Sequence, residues 1–167
     1  MADALLKKLQ GIPVCKGLSS AEAKEVVAIA DESSARTGAV LFKEGDAGDA
    51  LLVLLEGQVE VTKRGASLAK LDAGSVLGEM SLLDGDTRSA TATALSDVKF
   101  LKISNARFQK LLNADNVGAL KIVHNLAEVM SKRLALINEK LVDSLGKGPT
   151  KKEELADFGR ILNRWSF

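Results

Sequence analysis

Glu79 and Arg88 are the pair in this chain best suited to chemistry. They stand nine positions apart in GEMSLLDGDTRSATA, residues 78–92, among glycines, serines and alanines. A carboxylate and a guanidinium so placed suit an acid–base pair, a salt bridge across a hairpin, or a cradle for one ligand carrying hydroxyls and a phosphate. Gly78 lets backbone approach a ligand closely. The residues after it, EMSLL, suit a single helical turn whose first N–H groups are unpaired and attract an anion. Arg88 returns after the turn DGD, and its planar fork matches phosphate oxygens. Ser89 adds a hydroxyl and Ala90 adds room. Glu79 alone would repel a phosphate, but it accepts hydrogen bonds from sugar hydroxyls, so the cradle calls for a ribose phosphate. The plain alternative, a surface salt bridge, contributes about 0–1 kcal/mol. Spacing alone does not choose between them.

Little else in the chain is reactive. A single cysteine, Cys15, excludes an intramolecular disulfide and a Cys-ligated zinc or iron–sulfur site of ordinary type. It reads as a small buried residue at a helix–loop junction. The one histidine, His124, lies mid-helix beside Asn125 and reads as an ordinary helix residue, not a metal ligand. With no nucleophile–base pair and no metal cluster evident, neither catalysis nor a metal is expected. Lys+Arg number 23 and Asp+Glu 22, a net charge of +1, which is not the basic excess of a nucleic-acid-coating protein. The start, MADALLKKLQ, lacks the apolar core of a signal peptide, and no apolar run reaches a membrane span. The cytoplasm is the expected compartment.

The elements that must position the pair fall into zones. Residues 1–35 read as helical: DALLKKL, then LSSAEAKEVVAIADES with Ser19 and Ser20 as candidate N-caps and Glu22 in the first turn. Residues 36–103 read as seven or eight short strands at roughly ten-residue spacing, which predicts a sandwich or roll. Residues 104–145 return to helix. There, Val123, Leu126, Met130, Leu134, Ile137, Leu141 and Leu145 keep one face apolar. Such a stripe needs cover, from the core in part and from a second copy of the helix, as in a homodimer, for the rest. Residues 146–167 read as a linker, GKGPT, and a short amphipathic helix. Its features are a Thr150–Glu153 capping box and the stripe Leu155, Phe158, Leu162 and Trp165.

Two stretches carry a resemblance. LFKEGDAGDALLVLLEGQVEV, with Gly45, Gly48, Asp49 and Gly57, and GSVLGEMSLLDGDTRSATATA resemble the two signatures of the cyclic nucleotide-binding domain. That domain is shared by catabolite-activator-type regulators, protein-kinase regulatory subunits and cyclic-nucleotide-gated channels. The resemblance runs from about Ile12 to Leu145. It implies an eight-stranded antiparallel β-roll, a jelly-roll, with N-terminal helices and a long C-terminal helix. It implies that Glu79 binds the ribose 2′-hydroxyl and Arg88 the cyclic phosphate, with Gly78, Met80, Ser81, Ser89 and Ala90 lining the pocket. By the same alignment Val61, Leu68 and Ala69 flank the purine, Arg133, Ile137 and Asn138 face the base from the long helix, and Leu82 relays ligand binding. Three positions depart from the pattern: Leu77 replaces a common Phe, Thr87 a common Pro, and Ile137 the hydroxyl residue that contacts adenine in the catabolite activator.

The expected function is a stand-alone sensor of cAMP, or alternatively of cGMP, that passes a change of shape to another protein; a scaffold with a vestigial pocket is the third reading. The Arg-Ser-Ala triplet resembles bacterial cAMP regulators, whereas cGMP-selective kinase domains carry Thr after the Arg. A winged helix-turn-helix needs about 60–70 residues, more than the 22 after Leu145, so no DNA binding is expected. The tail is expected either to dock on its own domain or to bind a partner.

Overall fold

A computed structural model of the chain describes residues 2–84 and 87–145. Its plan follows from ALLVLLE, strand β3 (Ala50–Glu56). The first six residues are buried, so the strand is covered on both faces. Successive side chains alternate between faces. Leu51, Val53 and Leu55 enter one core, and Leu52 and Leu54 enter another.

Two four-stranded antiparallel sheets form around β3. One joins β1 (Ala30–Ala35), β8 (Val98–Ser104), β3 and β6 (Val76–Leu77) in the order β1-β8-β3-β6. The other joins β2 (Val40–Phe42), β7 (Thr91–Ala94), β4 (Gln58–Lys63) and β5 (Ala66–Asp72) in the order β2-β7-β4-β5. Their facing sides share the inner core of Leu52, Leu54, Val59, Leu77, Ala92, Ala94, Val98 and Phe100. The other face of the first sheet, with Leu101 and Ile103, is covered by helices. These are α1 (Ala2–Gln10), α2 (Ser20–Ala28), α4 (Asn105–Asn113) and the start of α5 (Val117–Leu145). The architecture is the expected eight-stranded β-roll with flanking helices.

Local signals set the helix starts. Ser19, not Ser20, caps α2: its Oγ accepts from Glu22 N at 3.2 Å, and its own N–H donates to the Glu22 carboxylate at 2.7 Å. Ser104 caps α4 by the first of these contacts alone: its Oγ accepts from Arg107 N at 3.2 Å. One boundary differs from the sequence reading. Helix was expected through residue 35, but α2 stops at Ala28 and Ala30–Ala35 pair with β8 in continuous register. The segment ADESSA is an edge strand, exposed along much of its length, so it shows none of the apolar alternation that marks a strand in sequence.

The chain divides into two compact units, Met1–Leu126 and Ala127–Phe167. In the first, α5 is tied down by polar contacts. Buried Asn125 donates to Val14 O and Lys16 O, both at 2.9 Å, and Lys121 pairs with Glu22 at 2.9 Å. Of the apolar stripe read from sequence, Leu126 is buried and Val123 half-buried here. In the second unit Met130 and Leu141 are half-buried, while Leu134 and Ile137 are 56% and 60% exposed. The expected tail helix, with its capping box and Trp165, lies outside the described residues.

Candidate functional site

Arg88 is placed by its backbone before its side chain does anything. Its N–H donates to Asp46 O and its carbonyl accepts from Gly45 N, both at 2.8 Å. The GDAGD loop is in turn held to the start of α4, just past β8, where Asn105 Nδ2 donates to Gly48 O at 2.7 Å and Asn105 N to Asp49 O at 2.9 Å. The loop between β2 and β3 thus fixes where Arg88 stands.

The Arg88 side chain then runs inward and is 4% exposed. Its guanidinium carbon lies 4.4 Å from the centroid of the Phe42 ring, a cation–π stack. Nη2 donates to Asp49 Oδ1 at 3.4 Å. Nε and Nη1 are buried with no hydrogen-bond partner. Burial pulls the guanidinium pKa below its usual value, opposed by the charges of Asp49, Asp46 and Glu79. An arginine stays protonated under such a shift, so the site holds a buried cation with two idle donors. Arg88 is thus a buried group and not an exposed surface one.

Gly78 makes the approach possible. It follows β6, which pairs Leu77 with Leu52 of β3, and it sits at φ +78. A Cβ added there would collide with Arg88 Nη1 and lie 2.9 Å from Ala50 O. Helix α3 (Glu79–Asp84) starts at the next residue, so half-buried Glu79 opens its first turn. Ser89 Oγ donates to Met80 Sδ at 3.5 Å, which brings the two ends of the opening stretch together. Ala90 is buried and Leu82 packs, half-buried, against the helix-side core. Ser81 lies in α3.

The residues expected around a base divide. Val61 of β4 pairs in register with Ala69 of β5 and Ala92 of β7, and it packs on the inner core. The β4–β5 register slips between Val61 and Thr62, from Ala69 to Ser67, so Leu68 is the extra residue of a bulge. Leu68 is 57% exposed. Arg133, Ile137 and Asn138 lie on α5 in the second unit. Sequence reasoning quoted Phe42 and Asp49 without giving either a role, and passed over Lys102. Lys102 Nζ lies 3.1 Å from Asp49 Oδ2. The missed signal was phase: in VKFLKIS, Lys102 shares the face of Val98 and Phe100.

Against known families, the profile described as the cyclic nucleotide-binding domain matches residues 32–115, half of the chain. The chain belongs to the cyclic nucleotide-binding domain family. A crystal structure of such a domain from Methylobacillus flagellatus KT superposes with a TM-score of 0.77 at 27% identity, covering 86% of this chain and 85% of that one. The cyclic AMP receptor protein of Thermus thermophilus is 30% identical over 131 residues, 75% of this chain and 59% of that protein. A cGMP-dependent protein kinase of Caenorhabditis briggsae is 38% identical over 96 residues, 58% of this chain but 13% of the kinase. The chain therefore spans only part of these curated relatives. Among the described residues no three His, Cys, Asp or Glu gather as a metal site, and no helix is long and apolar enough to cross a membrane.

Proposed function

We propose that the chain is a regulatory module that binds cAMP in the Arg88 site and passes the event to a partner protein. The state of Arg88 carries this reading: a buried guanidinium, 4% exposed, with Nε and Nη1 unpaired. Unpaired buried donors on a cation are costly, and a cyclic phosphate supplies the acceptors and the charge they lack. In this reading Glu79 accepts from the ribose 2′-hydroxyl. The backbone at Gly78, Met80 and Ser81, with Ser89 and Ala90, lines the sugar–phosphate pocket. Val61, Leu68 and Ala69 flank the purine, and Arg133, Ile137 and Asn138 are the α5 residues offered to the base.

Relay follows the same contacts. A phosphate drawing α3 toward Arg88 would shift Leu82, which packs on the helix-side core that α4 and α5 share. A ligand that binds one arrangement better than another moves the population toward it. The output is proposed to be a protein effector, in the cytoplasm, with no DNA or membrane contact and no catalysis, because binding alone accounts for Glu79 and Arg88. A homodimer through α5 is consistent with its exposed Leu134 and Ile137.

The base is the finer question. One relative is a cAMP receptor protein and another a cGMP-dependent kinase. The triplet Arg88-Ser89-Ala90 favours cAMP. Calorimetric titration of nucleotide-stripped protein with each ligand decides it. The proposal expects one-to-one binding with cAMP the tighter. Tighter cGMP binding would make the chain a cGMP sensor, and no binding of either would make the pocket vestigial.

A further inference from the structure

Lys102 breaks the pattern of its strand. Along β8, Val98 and Phe100 point into the inner core, and Lys102 takes the next inward position. It pairs in register with Leu52 of β3, itself an inner-core residue. A lysine at a core phase is costly unless something there calls for it. What stands there is an open cavity of about 400 Å³ lined by Arg88, Phe42, Asp46, Asp49, Phe100 and Lys102 among others.

Three charges form a chain at this cavity. Lys102 Nζ is 3.1 Å from Asp49 Oδ2, and Arg88 Nη2 is 3.4 Å from Asp49 Oδ1. The same carboxylate is shared between a half-exposed lysine and a buried arginine, and the lysine holds it at the shorter distance.

Resting on the reading of Arg88 as the phosphate ligand, we infer that Lys102 is a positioning residue that tunes that site through Asp49. Asp49 competes with an incoming phosphate for the Arg88 guanidinium. Lys102 draws the Asp49 charge toward itself, so less of it falls on Arg88. Without Lys102, Asp49 settles on Arg88, and the surroundings, which also include Asp46 and Glu79, become more negative. Both effects weaken anion binding. The size is modest because Asp49 and Lys102 are 65% and 43% exposed and partly screened by water.

The experiment is a calorimetric double-mutant cycle with cAMP on the full chain, at roughly 0.05 M and 0.5 M salt, with folding checked by circular dichroism. Lys102→Met is expected to weaken binding about three- to fivefold at low salt, with the gap narrowing at high salt. Lys102→Arg is expected to restore it. In an Asp49→Asn background, Lys102→Met is expected to weaken binding distinctly less, because only the direct effect of the lost charge remains. A Lys102→Met variant with unchanged affinity overturns the inference. So does an equal loss in both backgrounds, which would make Lys102 a distant charge acting without Asp49. Arg88→Ala is run beside them. Lost binding there, with Lys102→Met unaffected, keeps the site and removes Lys102 from it; full binding in Arg88→Ala removes the site itself.

Discussion

The guanidinium of Arg88 stacks on the ring of Phe42, its central carbon 4.4 Å from the ring centroid. Phe42 sits at the end of β2, where the pairing with β7 slips in register. The stack holds a buried cation in place while leaving Nε and Nη1 free. A desolvated cation–π contact contributes about 0.5–2 kcal/mol. Phe42→Leu keeps apolar bulk and removes the quadrupole, so cAMP binding should weaken roughly two- to thirtyfold by calorimetry. Unchanged affinity would mean the ring does not hold Arg88.

Gly78 and Gly74 make a matched pair of tests. Both have positive φ, +78 and +91. An added Cβ at Gly74 meets nothing within 4 Å, whereas at Gly78 it collides with Arg88 Nη1. Both Ala variants should lose about 1–2 kcal/mol of stability in urea from the backbone alone. Gly78→Ala should also lose cAMP binding, and Gly74→Ala should keep it. Equal binding in the two would show that Gly78 serves the turn and not the site.

Asn125 fastens α5 to the segment after α1. Its amide donates to two backbone carbonyls, Val14 O and Lys16 O, in a largely buried setting. Asn125→Ala should cost about 1–3 kcal/mol, because both acceptors lose a partner. Urea unfolding measures it, and a loss below about 0.5 kcal/mol, half the low end of that range, would argue that water replaces the amide.

Cys15 should be silent. Burial raises its thiol pKa to about 11, so at pH 8 the thiolate is roughly a thousandth of the population, against about a quarter for a free thiol. Reaction with a disulfide reagent at pH 8 should follow the rate of unfolding and speed up in urea. Rapid labelling of the native protein would contradict this placement.

How much of this was legible in the sequence depends on what each residue needed. Glu79 and Arg88 stood out as a carboxylate and a guanidinium among small residues, and it was the resemblance to a family signature, not their spacing, that favoured a ligand cradle over a salt bridge. The roll was legible from β3 and β4, where apolar runs end at Gly57. Strand β1 was not, because ADESSA is a half-exposed edge without apolar alternation, and its register with β8 is a backbone pairing that no side-chain pattern announces. Asp49 had no legible role because its partners, Arg88 and Lys102, lie 39 and 53 positions away and meet only once β8 lies beside β3. The stripe on α5 was visible as a period, but a period does not say which residues a core will cover. Leu126 is buried and Ile137 is not.

The most direct test of the central claim is cAMP titration of nucleotide-stripped wild-type protein beside Arg88→Ala, each monitored by calorimetry and by thermal unfolding. Loss of a buried charge-assisted phosphate contact should weaken binding by about a hundredfold or more. The fold should survive, because the replacement takes away a buried cation together with its two unsatisfied donors. Ligand at about 100 times Kd should stabilise the wild type by about 2.7 kcal/mol and leave the variant unmoved. Equal affinity and equal stabilisation in the two proteins would contradict the assignment of Arg88 as the phosphate ligand.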